Sequence, residues 1–307
     1  MIGTIFAWVA VCSLATFLVP FVISLYLPVQ NLKKKYNAEW ALVTGGSSGI
    51  GLAIARRCAE QGINVVIVAL PNELLKQAMT ELQRDFPQRK FIAVEADLSK
   101  DGFMDGVIKA TDGLDIQLIF SNAGYIVTSF FAETPLETVL ANYNTNATAS
   151  IKIAHHFSRK LIAKKLKGFI CFTSSGAAYL PTPLTSMYGP TKVFLTNLGA
   201  ALAAELRPEG VDVMVVHPSP IASNFYKNSS LDIVVLFKKT AASPSVISDA
   251  ICRNAGYFTL VDDGYFGVTT KLILKVLDWS LFGEIMKFAV PITGDYKQLK
   301  AKAQKTN

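Results

Sequence analysis

Two side chains four residues apart, the phenol of Tyr188 and the ammonium of Lys192, have the types and spacing of an acid/base pair. At the start of a helical stretch such a pair shares one face. A phenol ordinarily ionises at about pH 10, and a nearby ammonium favours its phenolate, which makes the tyrosine usable near neutrality. Pro190 lies between them; a helix interior would not tolerate it, but a first turn does, so the helix is expected to begin close to Met187. A second chemistry is written upstream in Thr44-Gly45-Gly46-Ser47-Ser48-Gly49-Ile50-Gly51, which runs into Leu52-Ala53-Ile54-Ala55. Glycines there permit a tight turn and let a dinucleotide pyrophosphate approach the amides of a helix N-terminus.

Both groups need a scaffold, and the chain between them supplies one. Short runs rich in Val, Ile and Phe, at 40–44, 64–69, 91–95, 117–120, 168–173 and 211–217, read as strands buried on both faces. Between them lie helical patterns at 51–61, 73–85, 138–164 and 188–206. This alternation predicts an α/β fold, a doubly wound parallel sheet of Rossmann type. The glycine turn then sits at the first βα turn. No repeat or linker divides the body, and residues 38–265 are expected to form one catalytic domain.

The flanks have a different character. Residues 2–30 contain no Asp, Glu, Lys, Arg or His, enough apolar helix to cross about 30 Å of hydrocarbon. The run lacks a basic start and is longer than the apolar core of a secretory signal, so residues 1–37 are read as an uncleaved membrane anchor with a basic flank. Lys33, Lys34 and Lys35 follow it and place the remaining chain on the cytosolic side. The net charge of +7 arises there and in the lysine-rich segment 266–307, while residues 36–266 are neutral. That distribution suits an anionic membrane surface and argues against a nucleic-acid partner. Residues 268–290 mix Trp279, Leu, Ile and Phe with charges, and are expected to form an interfacial or domain-packed amphipathic helix. Cys12, Cys58, Cys171 and Cys252 are scattered without metal-like spacing and read as reduced thiols.

Taken in order, the motifs resemble the short-chain dehydrogenase/reductase family over about 230 residues. The glycine spacing Gly45-x-x-x-Gly49-x-Gly51 is of that type, and four further stations follow: Asp97-Leu98, Asn122-Ala123-Gly124, Asn146, and Tyr188-x-x-x-Lys192. The resemblance implies that Gly45, Ser47, Ser48, Gly49, Ile50, Gly51, Asp97, Leu98, Asn122, Ala123, Gly124, Pro218, Ile221 and Ser223 hold a nicotinamide dinucleotide, together with Tyr188 and Lys192. It also implies a catalytic set: Tyr188 as acid, Lys192 lowering its pKa, Asn146 holding a water on a proton relay, and Ser175 bonding the substrate carbonyl. Ser175 stands thirteen residues before Tyr188, the family's usual spacing, although Ser174 is its immediate neighbour. Two positions depart from the family pattern: Pro218-Ser219 replaces the usual Pro-Gly, and Ser223 replaces the usual Thr.

The end of the second strand, Ala69-Leu70-Pro71-Asn72, offers no acid for the ribose of NAD, which favours NADPH; Arg56 or Arg57 is the candidate partner for its 2′-phosphate. The segment Ser174-Ser175-Gly176 with Pro181-x-Pro183-Leu184-x-x-x-Tyr188 resembles membrane-bound very-long-chain 3-oxoacyl-CoA reductases and 17β-hydroxysteroid dehydrogenases of types 12 and 3. Ser121-Asn122-Ala123-Gly124-Tyr125 is similar also to 3-ketodihydrosphingosine reductase. The resemblance thus implies a lipid-like substrate, a long-chain 3-oxoacyl-CoA first, with ketosphinganine, steroid and retinoid as alternatives, and residence in the endoplasmic reticulum membrane. A membrane-tethered binding module that keeps the fold is the rival from a different class. Association through the helices at 138–164 and 188–206 is common in the family and would give a homo-oligomer.

Overall fold

The computed structural model describes residues 2–226 and 231–306. Among these, the strands β1 (Trp40–Thr44), β2 (Asn64–Ala69), β3 (Phe91–Glu95), β4 (Ile116–Ser121), β5 (Gly168–Thr173), β6 (Val211–Pro218) and β7 (Leu260–Asp263) form one sheet in the order β3-β2-β1-β4-β5-β6-β7. Every neighbouring pair is parallel. The Val, Ile and Phe of β1, β2, β4 and β5 are buried because helices cover both faces of the sheet.

The helices are α1 (Ile2–Tyr26), α2 (Leu32–Tyr36), α3 (Gly49–Glu60), α4 (Glu73–Asp85), α5 (Phe103–Ala110), α6 (Leu136–Tyr143), α7 (Ala149–Ala163), α8 (Tyr188–Leu206), α9 (Asp232–Lys239), α10 (Pro244–Asn254), α11 (Tyr265–Leu274), α12 (Trp279–Ala289) and α13 (Gly294–Thr306). Ile54, Ala55 and Cys58 of α3 pack with Ile247 and Ile251 of α10 in one core. On the opposite face Val107 of α5, Ile153 and Phe157 of α7 and Leu195 of α8 fill the other. This is the doubly wound arrangement that the alternating pattern predicts.

Three differences from the sequence reading have physical reasons. The helical stretch at 138–164 is interrupted at Asn144–Thr148 by a π-helical turn, in which Ala149 N–H reaches back to the Asn144 carbonyl. Such turns re-register side chains at functional sites. The run at 268–290 is two helices, α11 and α12, separated by residues 275–278. Strand β7 escaped the reading because it is short and ends in two aspartates.

Strand order places β1 between β2 and β4, so the chain reverses direction across the sheet between β3 and β4. At such a switch point the strand C-termini open a crevice in which ligands bind. The glycine turn after β1 and the Asn122-Ala123-Gly124 segment after β4 both emerge there.

Candidate functional site

The crevice floor is built from backbone contacts. The Thr44 hydroxyl at the end of β1 accepts the Asn122 and Ala123 N–H groups at 2.9 and 3.0 Å, and the Asn122 side-chain amide donates to the Thr44 carbonyl at 3.2 Å. Gly51 closes the turn on itself: a Cβ there would collide with the Gly45 carbonyl and the Asn122 amide. Ser48 caps α3 by position only, since its side chain makes no capping hydrogen bond. The first-turn amides of a twelve-residue helix are thereby left for an anion. Ser47, Ser48 and Ile50 are half-buried along this turn. Ser223 lies directly against Gly49, although the two are far apart in the chain.

Other expected nucleotide contacts line the same edge. Asp97 follows β3, with its carboxylate accepting the Ser99 N–H at 2.9 Å and hydroxyl at 2.7 Å, which holds it below the usual carboxylate range. Leu98 beside it is buried. Pro218 ends β6, and buried Ile221 bridges to Ala242. Ser219 has a use that a glycine could not fill. Its hydroxyl accepts the Phe266 N–H at 2.9 Å and its own N–H donates to Asp263, which ties the start of α11 to the end of β6.

Arg56 and Arg57 do not reach this edge. Arg56 pairs with Glu81 and Asp85 of α4, both at 2.7 Å, and Arg57 pairs with Glu60 and Asp249. The expectation that either holds a 2′-phosphate is corrected: α4 and α10 supply carboxylates that claim both. Asn72 is also occupied, accepting from Leu75 N–H to cap α4. Leu70 stays exposed beside it.

Tyr188 and Lys192, the expected acid/base pair, stand across the crevice. Helix α8 begins at Tyr188 with Met187 as its cap, so Pro190 falls in the first turn as its chemistry demands. Lys192 is buried and donates from Nζ to the Thr173 carbonyl at 2.8 Å, with Nζ 5.5 Å from the centre of the Tyr188 ring. Burial pushes this ammonium down to about 8. Tyr188 keeps part of its surface open, yet burial of its hydroxyl pushes the phenol up to about 12, against a lowering by a hydrogen bond with Ser175. Of these two influences on the phenol, burial is the larger.

Ser174 and Ser175 separate cleanly. The Ser174 hydroxyl is buried, donating to the Lys192 carbonyl at 2.8 Å and lying 3.0 Å from Thr196 Oγ1, so it fastens β5 to α8. Ser175 turns instead towards Tyr188, and its Oγ also accepts the Ala177 N–H at 3.1 Å. Asn146, in the π-helical turn, is fully buried; it accepts the Tyr125 N–H at 2.9 Å and donates to the Tyr125 carbonyl at 3.0 Å and to Thr191 at 3.3 Å. Gly124 lets these parts meet. A Cβ there would lie 3.1 Å from Asn146 Oδ1 and 3.3 Å from Lys192 Nζ.

Sequence reasoning missed several supporting groups. Thr44, Thr173 and Thr191 act through a hydroxyl or a carbonyl and carry no spacing signal. A second buried network also escaped notice. Asp262 at the end of β7 accepts from the Tyr179 hydroxyl at 2.7 Å and from Lys271 Nζ at 2.6 Å. His217 lies 3.8 Å from the same carboxylate, but burial pushes it down to about 4, so it is neutral and the charge partner is Lys271. His217 Nε2 is 3.0 Å from Thr196 Oγ1, which links the network to α8.

Beyond Tyr188 the surface turns aromatic. Ring centres step from Tyr188 to Phe225 (5.4 Å), Tyr226 (5.1 Å), Phe237 (6.1 Å) and Phe266 (5.3 Å). Helix α13 closes over this side: Tyr296 meets Phe130 edge-on at 5.0 Å, and the Asp295 carboxylate accepts the Asp232 and Ile233 N–H groups that start α9.

Comparison with known proteins gives the same picture. Residues 39–233 match the family described as short chain dehydrogenase. A very-long-chain 3-oxoacyl-CoA reductase of Phaeosphaeria nodorum is 30% identical over 193 residues, which are 61% of this chain and 56% of that protein, less than two thirds of its length. The solved structure of a 7beta-hydroxysteroid dehydrogenase aligns with a TM-score of 0.74 at 26% identity, covering 83% of this chain and 99% of the other. A short-chain dehydrogenase from Sphingobium yanoikuyae, solved in complex with NADPH, aligns at 0.64 with 26% identity, over 70% and 83% of the two chains.

Proposed function

This chain belongs to the short-chain dehydrogenase family, and from that premise we propose that it is an NAD(P)-dependent oxidoreductase, specifically an NADPH-dependent reductase of a lipid-like ketone, with a long-chain 3-oxoacyl-CoA as the first candidate. The observation that carries the proposal is the cluster of half-buried Ser175 and Tyr188 with buried Lys192 and Asn146, facing an aromatic wall.

The crevice fits a dinucleotide. The uncapped α3 N-terminus and the tight turn at Gly51 suit a pyrophosphate, and Ser223 and the Asn122-Ala123-Gly124 segment lie beside them. Asp97, Leu98, Pro218 and Ile221 complete the binding set. The absence of an acid at the end of β2 supports NADPH over NADH. When bound, the reduced nicotinamide supplies the hydride.

The chain's own residues do the rest. Ser175 donates to the substrate carbonyl oxygen and holds it beside the Tyr188 hydroxyl. A phenol pushed up to about 12 is protonated at neutral pH, which is the form that gives a proton to the developing alkoxide. That protonated form suits the reductive direction of the proposal. The Lys192 ammonium lies close enough to steady the resulting phenolate, and Asn146, sharing the Gly124 opening with it, orders the water that returns the proton.

The aromatic steps from Phe225 to Phe266 and the apolar α1 support a hydrophobic chain on the substrate, delivered at the cytosolic face of the endoplasmic reticulum membrane. The 7beta-hydroxysteroid dehydrogenase neighbour favours a steroid as the second reading. Purified full-length protein in detergent is given NADPH with a long-chain 3-oxoacyl-CoA, ketosphinganine or a ketosteroid, and NADPH oxidation is followed. Turnover of the acyl-CoA alone supports the first reading; turnover of the steroid alone replaces it; no oxidation with any ketone refutes the reductase.

A further inference from the structure

The anchor helix is not a loose tether. Helix α10 ends with carbonyls that have no partner inside the helix, and the segment following α1 satisfies them. Gln30 Nε2 donates to the carbonyls of Cys252, Arg253 and Ala255 at 3.2, 2.9 and 3.0 Å, and Lys35 Nζ donates to that of Ala255 at 2.5 Å. The Asn254 amide reaches the Ser24 carbonyl inside α1 at 3.4 Å, and Lys271 of α11 sits with Nζ 5.4 Å from the centre of the Phe17 ring. Ser13, Phe17, Pro20, Phe21 and Ser24 form the partly covered face of α1, and its other residues from Gly3 to Tyr26 are exposed.

These contacts set a depth. Helix α1 is apolar from Gly3 to Tyr26, and about 20 residues are needed to cross the hydrocarbon. Phe17 lies nine residues before Tyr26, about 14 Å along the axis at 1.5 Å per residue. A side chain of α11 that touches Phe17 therefore stands level with the edge of the bilayer or within it. Lys271 reaches that level with its charge paired to Asp262.

The next helix has the surface such a level requires. Among its described residues α12 buries none against the protein. Leu281, Ile285 and Phe288 recur at i, i+4 and i+7, one apolar stripe open to solvent, with Phe288 76% exposed, and Ile292 in the 3-10 turn that follows is exposed as well. Trp279 and Val276 extend it, the latter 92% exposed. Ser280, Glu284 and Lys287 repeat one position earlier and make the polar flank. A patch this large on an otherwise well-packed chain marks an interaction site.

We propose that the α11–α12 face is a second membrane contact, lying in the interfacial zone of the leaflet from which α1 emerges and fixing the catalytic body against it. Exposed Lys275 at the end of α11 and exposed Lys34 after α1 present positive charge, on a chain of net charge +7, which matches an anionic leaflet rather than a second copy of a basic chain. The proposal rests on α1 spanning the bilayer, and its test separates the two claims. The full-length chain is reconstituted into phosphatidylcholine–phosphatidylserine vesicles whose acyl chains carry bromine at shallow or deep positions. Trp8→Phe leaves Trp279 over a constant Trp40 background; Trp279→Phe leaves Trp8; the double variant supplies the background itself. The expected result is strong loss of Trp279 emission with shallow bromine, less with deep bromine, and independent loss of Trp8 emission. Trp8 quenched with Trp279 untouched would overturn the second contact and leave the anchor. Trp279 unquenched by lipid yet shielded from aqueous iodide would overturn it in favour of a second copy. With neither tryptophan quenched, the membrane reading itself fails.

Discussion

The two walls of the crevice are held by opposite kinds of interaction. On the chemical wall, buried polar groups fix one another: Thr44 holds Asn122, Asn146 holds the Tyr125 backbone, Ser174 holds Lys192, and Thr173 holds its ammonium. On the substrate wall, from Phe225 through α9 to α13, aromatic edges and two helix-capping bonds do the holding, and much apolar surface stays open. A satisfied polar network admits one arrangement, whereas apolar contacts tolerate several. Under the proposed function, this difference assigns the reaction to the first wall and the choice of ketone to the second, so the two should be separable by mutation.

The largest expected effect falls on the first wall. Gly51→Ala forces a Cβ into the Gly45 carbonyl, a backbone atom that cannot swing away, and should abolish NADPH binding while costing about 1–3 kcal/mol of stability. Fluorescence titration and thermal unfolding measure both; retained tight binding would break the reading of the turn. On the second wall, Phe225→Ala should raise KM for a long-chain ketone about tenfold or more and change kcat much less. An equal fall in kcat with unchanged KM would mean that the walls are not separable.

Acidity sharpens the contrast. Burial holds Lys192 at about 8, below its ordinary 10.5, so the folded chain gives up this proton earlier than the unfolded one. Between about pH 8 and 10.5 the unfolded state then binds more protons, and the contribution of Lys192 makes stability rise with pH. Reduction should move the other way across the same window, falling as the ammonium that steadies the Tyr188 phenolate is lost. Rates and melting temperatures of wild type and Lys192→Met across this range read the two slopes; parallel slopes would contradict the assignment. The smallest effect is reserved for Ser174→Ala, which loses a fastening bond worth about 1 kcal/mol and keeps its chemistry. Ser175→Ala, by contrast, should lose most of the activity with little change in stability.

Legibility in the sequence followed the same division. Strands β1 to β6 were readable because burial on both faces demands unbroken Val, Ile and Phe. The start of α8 was readable because Pro190 permits only one position for it. Thr44 and Thr173 were invisible because a hydroxyl or carbonyl at a strand end looks like any other until the neighbouring strand is placed beside it. The same holds for Arg56 and Arg57, which the sequence leaves free and the fold pairs with carboxylates from α4 and α10. The Asp262–Lys271 pair and the capping of α9 by Asp295 join elements whose distance in space no periodicity encodes.

The central claim is that a protonated Tyr188 completes the reduction. It is tested most directly by loading wild type and Tyr188→Phe with NADPH in detergent, adding a long-chain 3-oxoacyl-CoA, and following a single turnover of the bound cofactor. Both proteins should bind NADPH alike, with oxidation slowed by about 10²- to 10⁴-fold in the variant, the range for a lost general acid. Oxidation at the wild-type rate in Tyr188→Phe would contradict the account.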